Sequence, residues 1–489
     1  MYKHRILKLI ACLPLAAALV AGSSGAASAT KPNIVFFFID DMGWKDWRGN
    51  DNPNVLTPNI DKIARDSVQF DQGYVNAANC APSRCALLAG QYTPRTQFYN
   101  VWSIHRGHKK SDRLSLEEIH DGQALTEDKF TFAEALQKAG YTTAMYGKWH
   151  ISGHGRDGSG NDGGVGPKMQ GFDDVLEHSA SSLGEAFKQA PEDPKKIFSY
   201  TARASEFIEE CNADKKPFMI YMAHHAVHAA FHARRSTKKM ISEELADGKV
   251  NHSYASCLFD TDASIGIILD KLDELRIRDN TVIIFLSDNG GIPEGGGSQA
   301  PLRSFKGCYY EGGIRVPFMI SLPKQFKPRR SKTPVMAIDL YPTMLSLAGV
   351  QDIEKHIGDY TIDGTSLLPE LRGGTLEERA LFWYYPAYLK GSRRYKQSRV
   401  PEYRQQPVSV IRKGDWKLLL HHEEWSLDKG KNALELYNLA EDMGETKNLA
   451  NEHPERCQAL LKELLEWHKD TNAVIPSKPN SKRESSPKD

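Results

Sequence analysis

Three stretches of the chain are apolar almost without interruption: Asn33–Ile39 (NIVFFFI), Pro217–Ala223 (PFMIYMA) and Thr281–Leu286 (TVIIFL). Runs this short and this continuous fit strands buried on both faces, as in a sheet covered by helices on each side. Ser67–Phe70 and Tyr141–Tyr146 read as two further strands. Between them the period changes. Thr57-Pro58 opens a helix through Asp66, with a cap and a proline in its first turn. Thr131-x-x-Glu134 is a capping box for a helix ending near Gly140, and Ser253–Leu275 reads as a long amphipathic helix. The pattern predicts an α/β fold. From about Leu381 the texture shifts to short strands (Phe382–Tyr385, Val408–Ile411, Lys417–His421), a turn at Gly414-Asp415-Trp416 and a helix over Glu455–His468.

Every predicted core strand runs into polar residues. Asn33–Ile39 ends in Asp40-Asp41, Tyr141–Tyr146 in Gly147-Lys148-Trp149-His150, Pro217–Ala223 in His224, His225 and His228, and Thr281–Leu286 in Ser287-Asp288-Asn289-Gly290. Singly, each has a plain reading: a capped loop, a surface lysine, a packed histidine. In open sheets with helices on both faces, however, sites gather at the carboxyl edge of the strands. The adjacent acids at Asp40-Asp41 repel unless something positive lies between them, which suits a hard cation with oxygen ligands. Lys148 and His150, two apart on an extended segment, share one face. His225-x-x-His228 lacks the glutamate of a zinc HExxH arrangement, so one histidine at a strand's end is the better reading. The Gly-, Ser- and Asp-rich stretch Ser152–Gly166 carries no P-loop lysine pattern and reads as an active-site loop, and Gly291–Gly297 is another glycine-rich loop.

Asn79–Gly90 (NCAPSRCALLAG) holds the reactive residue type. Pro82 suits the first position of a helix, which places Cys80 just before the N-terminus. Free N–H groups and the dipole favour an anion there. Arg84, about one turn on, offers a fork to the same spot. A nucleophile beside an anion site suits attack on a sulfate or phosphate ester.

The totals narrow the class. A chain of 489 residues with 40% hydrophobic content supplies one large domain and a smaller one. A net charge of +1 gives no pull toward nucleic acid. Met1–Ala29 reads as an export signal: basic residues Lys3, His4, Arg5 and Lys8, an apolar core Leu9–Val20, and a cleavage site Ala27-Ser28-Ala29. Leu9-Ile10-Ala11-Cys12 is a rival lipobox, but it sits very early. No other segment is apolar enough to span a membrane. The remaining cysteines (Cys80, Cys85, Cys211, Cys257, Cys308, Cys457) form no CxxC pair and no disulfide framework, although one or two bridges fit an oxidising compartment.

Asp40-Asp41 after a strand, Cys-Ala-Pro-Ser-Arg at 80–84, Gly147-Lys148-Trp149-His150, Ser287-Asp288-Asn289-Gly290 and Glu311-Gly312-Gly313-Ile314-Arg315-Val316-Pro317 occur in this order. Together they resemble the type I, formylglycine-dependent sulfatases of the alkaline-phosphatase superfamily, bacterial polysaccharide sulfatases among them. The likeness runs from Asn33 to about Gly364, and Leu436-Tyr437-Asn438-Leu439 with Asn448-Leu449 extends it. It implies a large, mixed, mostly parallel sheet sandwiched by helices, with a smaller C-terminal α+β subdomain carrying an antiparallel sheet. The expected division is a signal peptide at 1–29, a catalytic domain at 30–380, the subdomain at 381–475 and a disordered tail at 476–489.

The resemblance implies Ca²⁺, in preference to Mg²⁺, on Asp40, Asp41, Asp288, Asn289 and Cys80 as formylglycine. It implies attack of the formylglycine hydrate on sulfur, release of the alcohol and elimination of sulfate. Arg84 would orient the hydrate, Lys148 and Lys306 would grip sulfate, His150 would assist proton loss, and His228 would bind sulfate and serve the leaving group. His-Ala-Ala stands here where the family often has His-x-Pro, so His224 and His225 stay open as alternatives to His228. Ala89-Gly90-Gln91 stands for the usual Thr-Gly-Arg. A formylglycine-generating maturase and a sulfated oligo- or polysaccharide are the implied partners, with a galactan such as carrageenan as the narrowest expectation. The protein is expected to be exported, periplasmic or secreted. A phosphomonoester or phosphonate hydrolase of the same superfamily is the alternative, and a sulfated-glycan-binding pseudoenzyme a second. The aromatic and basic segment Trp383–Arg404 reads either as a solvated loop or as a wall of the substrate cleft.

Overall fold

The computed structural model describes residues 31–101, 115–117, 119, 122, 124–152, 165–178, 191–246, 250–292, 299–390, 398–400 and 403–481. The leader, Cys12, most of both glycine-rich loops and part of Trp383–Arg404 lie outside the described residues.

The strands, in chain order, are β1 (Asn33–Ile39), β2 (Val68–Phe70), β3 (Gly73–Tyr74), β4 (Thr142–Gly147), β5 (Asp174–Glu177), β6 (Phe218–His224), β7 (Thr281–Ser287), β8 (Phe318–Ser321), β9 (Arg329–Ser331), β10 (Val335–Met336), β11 (Ala380–Tyr385), β12 (Leu389–Lys390), β13 (Tyr403–Gln405), β14 (Val408–Lys413), β15 (Trp416–His421) and β16 (Leu434–Asn438). Eight form the large sheet, in the order β5-β4-β6-β1-β7-β8-β2-β9. Its pairings are parallel except where β8 meets β7 and β2. A second sheet, β11-β14-β15-β16, is antiparallel throughout.

β1 sits at the middle of the large sheet and explains its burial on both faces. Ile34, Phe36 and Phe38 pack one way, with the helices Cys80–Ala89, Phe132–Lys138 and Leu340–Leu347. Val35, Phe37 and Ile39 pack the other way, against Pro58–Arg65, Ile197–Ala213 and His252–Glu274. Truncating one such phenylalanine to alanine costs about 3–5 kcal/mol. The register then fixes the site. Ile39 lies opposite both His224 on β6 and Ser287 on β7, and Gly147 on β4 lies opposite Ala223. Four parallel strands therefore end at one level, and the polar residues after each emerge side by side.

Several boundaries differ from the sequence reading. The helix Cys80–Ala89 begins at Cys80, with Asn79 as its N-cap. Cys80 is thus the first helical residue rather than the one before it, and Pro82 is third. The first-turn N–H groups have no intrahelical partner, so a proline costs as little there as at the first position. Thr57 does not cap its helix; its hydroxyl accepts from Arg48 N (2.9 Å) and donates to Asp61 (3.2 Å). Trp383, Tyr384, Tyr385 and Tyr388 are buried, so this part of Trp383–Arg404 is neither a solvated loop nor a cleft wall. Trp383 donates its indole N–H to Val75 O (2.7 Å). Residues 476–480, expected in a disordered tail, instead make backbone hydrogen bonds: Glu117 N donates to Lys478 O (2.9 Å) and Asn480 N to Ser115 O (3.0 Å). The six described cysteines are all free thiols.

Candidate active site

Asp40 and Asp41 follow β1 directly, and the chain turns sharply to present both. Asp41 has φ +66°, a left-handed conformation that costs a non-glycine residue energy and gathers at functional sites. The turn is pinned by Asp41 N to Asp288 Oδ1 (3.1 Å) and Met42 N to Ser287 Oγ (3.0 Å). Lys148 follows β4 through Gly147, which has φ +115° and whose Cβ position lies 2.0 Å from Ala223 O. Only glycine lets β4 approach β6 so closely. His150 has φ +69°, so Lys148 and His150 do not lie on an extended segment as expected; a left-handed bend separates them. Asp288 and Asn289 follow β7. Gly290 turns behind them against the Gly312–Gly313 backbone, with Gly290 N donating to Gly313 O (3.0 Å).

These elements converge on Cys80. The Asp40 and Asp288 carboxylates and the Cys80 sulfur each offer a ligand atom within 4.8 Å of the others. Arg84 holds Asp288 Oδ2 with Nε (3.0 Å) and Nη2 (2.8 Å), and donates Nη1 to Lys148 O (3.0 Å). Its guanidinium stands 5.0 Å over the Phe38 ring. Lys148 Nζ meets Asp40 Oδ2 at 2.6 Å. Lys306 Nζ meets Asp41 Oδ1 at 2.5 Å and lies 3.8 Å from Cys80 Sγ. Asn289 donates Nδ2 to Asp41 Oδ1 (2.8 Å).

The three histidines separate. His224 is buried against Ser264 Oγ (2.9 Å), and His225 Nε2 lies 3.0 Å from His178 O. His228 alone of the three approaches the acids, with Nε2 3.7 Å from Asp41 Oδ2 and its side chain 42% exposed. It therefore stands at the rim of the cluster, while His224 and His225 are committed elsewhere.

Charge decides what the site can hold. Asp40, Asp41 and Asp288 face Arg84, Lys148 and Lys306, all buried. Burial pushes Asp40 up, yet Lys148, His228, Arg84 and Lys306 outweigh it and hold the carboxyl well below the ordinary range. Asp41 is lowered in the same balance, chiefly by Lys306 against burial. Asp288 moves the other way, raised by burial and by Asp40 despite Arg84. Burial raises the Cys80 thiol, but Lys148 and Lys306 bring it below its usual value. His150 is held well below the ordinary imidazole value by burial and Lys148, so the ring is neutral.

A hard dication fits this donor set. Two buried side-chain oxygens, Asp40 Oδ1 and Asn289 Oδ1, accept no hydrogen bond, and each is costly unless something positive meets it. Carboxylate and amide oxygens are what Ca²⁺ or Mg²⁺ takes, whereas a thiolate suits a softer metal. An oxygen group at position 80 would complete the set.

Two contributors carry no sequence signal of their own. Phe38, one of three consecutive phenylalanines, is the one under Arg84. Lys195, in the run Asp193-Pro194-Lys195-Lys196, is 7% exposed and donates Nζ to His228 O (2.6 Å). Nothing in the sequence separates it from Lys196.

Comparison with known proteins agrees with this geometry. The family profile described as sulfatase matches residues 32–350, and that of the N-sulphoglucosamine sulphohydrolase C-terminal region matches 305–471. A sulfatase of Formosa agariphila is 30% identical, over 87% of this chain and 85% of that protein. Mouse N-acetylgalactosamine-6-sulfatase is 32% identical, over 74% of this chain and 70% of its own length. Human arylsulfatase A is 29% identical over 90% and 89%. Among solved structures, Ps i-CgsB superposes with a TM-score of 0.69 at 25% identity, covering 92% of this chain and 94% of that one. The phosphonate monoester hydrolase of Agrobacterium radiobacter shares the fold, with a TM-score of 0.63 at 18% identity over 90% and 96%.

Proposed function

The chain belongs to the sulfatase family of sulfuric ester hydrolases, and from this premise we propose that it removes sulfate from a sulfated carbohydrate, with Cys80 matured to formylglycine as the attacking residue. The observation that carries the proposal is the convergence of Arg84, Lys148 and Lys306 on Cys80, beside two buried oxygens that lack donors. Relatives named N-acetylgalactosamine-6-sulfatase support a sugar substrate, and a sulfated galactan is the first polymer to test. The leader Met1–Ala29 supports export.

The residues divide the work as follows. Asp40, Asp41, Asp288 and Asn289 would hold the divalent ion, Ca²⁺ by their number of oxygens, and the ion supplies positive charge against sulfate oxygens. Formylglycine, as its hydrate, would supply two hydroxyls on one carbon where serine would offer only one. Lys148 and Lys306 stand as point charges for the sulfate oxygens and counter charge that develops on the transferring group. Arg84 is locked by Asp288 and Lys148 O, so it orients the group at position 80 without spending motion. Neutral His150 can accept a proton. Rim-exposed His228 donates a hydrogen bond or proton to the departing alcohol oxygen.

Turnover of 4-nitrophenyl sulfate and 4-nitrophenyl phosphate by the matured protein tests the reaction class. Sulfate ester hydrolysis should dominate. Dominant phosphatase activity would contradict the proposal.

A further inference from the structure

Lys195 is a buried cation, 7% exposed, and among the described residues it forms no ion pair. Its hydrogen bond goes to the backbone oxygen of His228, at 2.6 Å. An ammonium taken from water without a carboxylate is costly to keep. The backbone that delivers it is also unfavourable: Lys195 and Lys196 are consecutive left-handed residues, at φ +61° and +58°. Neither has glycine's freedom. Asp193 holds this turn together by accepting from Phe198 N (2.7 Å) and Ser199 N (3.0 Å) at the start of the helix Ile197–Ala213. Strain of this kind persists where the surroundings over-determine it, and it gathers at functional sites.

What Lys195 grips is the turn that carries His228. That turn is clasped to the metal-side loop on its other flank, where Asp40 N donates to Ala226 O (3.0 Å) and Val227 N donates to Asp40 O (2.7 Å). Two anchors therefore set the His228 backbone, one from β1 and one from Lys195. The imidazole itself is 42% exposed, and its approach to Asp41 is long, at 3.7 Å. Its Nδ1 lies 2.6 Å from Ala229 O, so its aim follows the backbone of its own turn.

We propose that Lys195 is a positioning residue for His228, fixing the carbonyl of the His228 turn so that the imidazole faces the leaving-group oxygen. The inference rests on the role given to His228 in the proposed function. A small displacement of a proton donor costs most when the leaving group most needs help. Lys195 should therefore matter little for a good leaving group and more for a poor one. A lysine that only supported the fold would affect both alike.

The test compares matured wild type, His228→Ala, Lys195→Met and the double variant on 4-nitrophenyl sulfate and phenyl sulfate, the second having the poorer leaving group. His228→Ala should lose about tenfold more kcat/KM on phenyl sulfate than on 4-nitrophenyl sulfate. Lys195→Met should show the same bias, by about threefold, and should add almost nothing in the His228→Ala background. Equal losses on the two esters with Lys195→Met, or losses that multiply with those of His228→Ala, would each overturn the inference. If His228→Ala itself showed no bias between the esters, the role of His228 would fail, and that of Lys195 with it. If His228→Ala showed the bias and Lys195→Met did not, only the positioning role would fail.

Discussion

At the scale of single residues, the site is a balance of three carboxylates against three cations, with Cys80 among them. Lys148 and Lys306 each hold one aspartate, and in the proposed function they grip sulfate. Lys148→Ala and Lys306→Ala should each lower kcat for aryl sulfate by about 10²–10³-fold, the usual size of a lost preorganised donor. Steady-state kinetics checks this, and a change in KM alone would assign the lysines to binding only. Asp40→Asn should remove the stabilisation that divalent ion confers. At ion concentrations about 100-fold above Kd, that stabilisation is about 2.7 kcal/mol, seen as a rise in thermal midpoint over chelated protein. The residue types were legible in the sequence because each followed a core strand or a short motif. The choice of His228 over His224 and His225 was not, since all three follow the same strand and only tertiary partners separate them. Phe38 and Lys195 were hidden for the same reason: an apolar run and a basic run give every member the same sequence signal.

At the scale of elements, level strand ends do the assembling. The core strands β1, β2, β4, β6 and β7 and the helix His252–Glu274 were readable from the pattern, with bounds within a residue or two of those observed, whereas the helix Ile197–Ala213, which also packs on β1, was not read. The start of the Cys80–Ala89 helix was misplaced because proline is tolerated anywhere in a first turn, so it marks a helix start without fixing which residue comes first. The bend at His150 was not legible, because a left-handed histidine has no composition signal. Gly290 shows how tightly the elements are set. A Cβ there would lie 1.9 Å from Gly312 O, which is backbone and cannot swing aside. Gly290→Ala should push Asn289 off Asp41, destabilise the fold by about 1–3 kcal/mol and cut turnover more than tenfold. Urea unfolding and aryl sulfate kinetics on the same preparation check both.

At the scale of the whole molecule, the Glu311-Gly312-Gly313-Ile314-Arg315 motif joins the antiparallel sheet to the strand pair β3-β10. Glu311 is buried and meets Lys417 of β15 (3.0 Å), Tyr74 OH of β3 (2.7 Å) and Arg315 (3.4 Å). Lys417 also meets Glu445 (2.8 Å), whose other oxygen accepts from Glu311 N (2.7 Å). The motif was conspicuous in the sequence. Its role as a brace was not, because its partners lie far apart along the chain. The two glutamates share one lysine, and Arg315 and Arg412 favour Glu311. Burial raises Glu311, but Lys417 and these arginines bring it down to about 2. Burial, only partly offset by Lys417, and then Glu311 push Glu445 up to about 7. A carboxyl raised on folding contributes stability below its unfolded value and loses it as pH rises through the folded one. Between about pH 4.5 and 7 the Glu445 contribution should therefore fall by about 3 kcal/mol. Glu445→Gln should flatten that fall in urea midpoints measured across the range, and an unchanged slope would remove Glu445 from the account.

The central claim is that the encoded Cys80 is a precursor and that an oxygen species works in its place. The tryptic peptide Asp66–Arg84 contains Cys80 and no other cysteine. Its mass, taken with and without thiol alkylation on protein from the native host, tests the claim most directly. The account predicts a peptide that resists alkylation and carries the mass of the aldehyde or its hydrate. A peptide that alkylates fully, from protein that still turns over aryl sulfate, would contradict it.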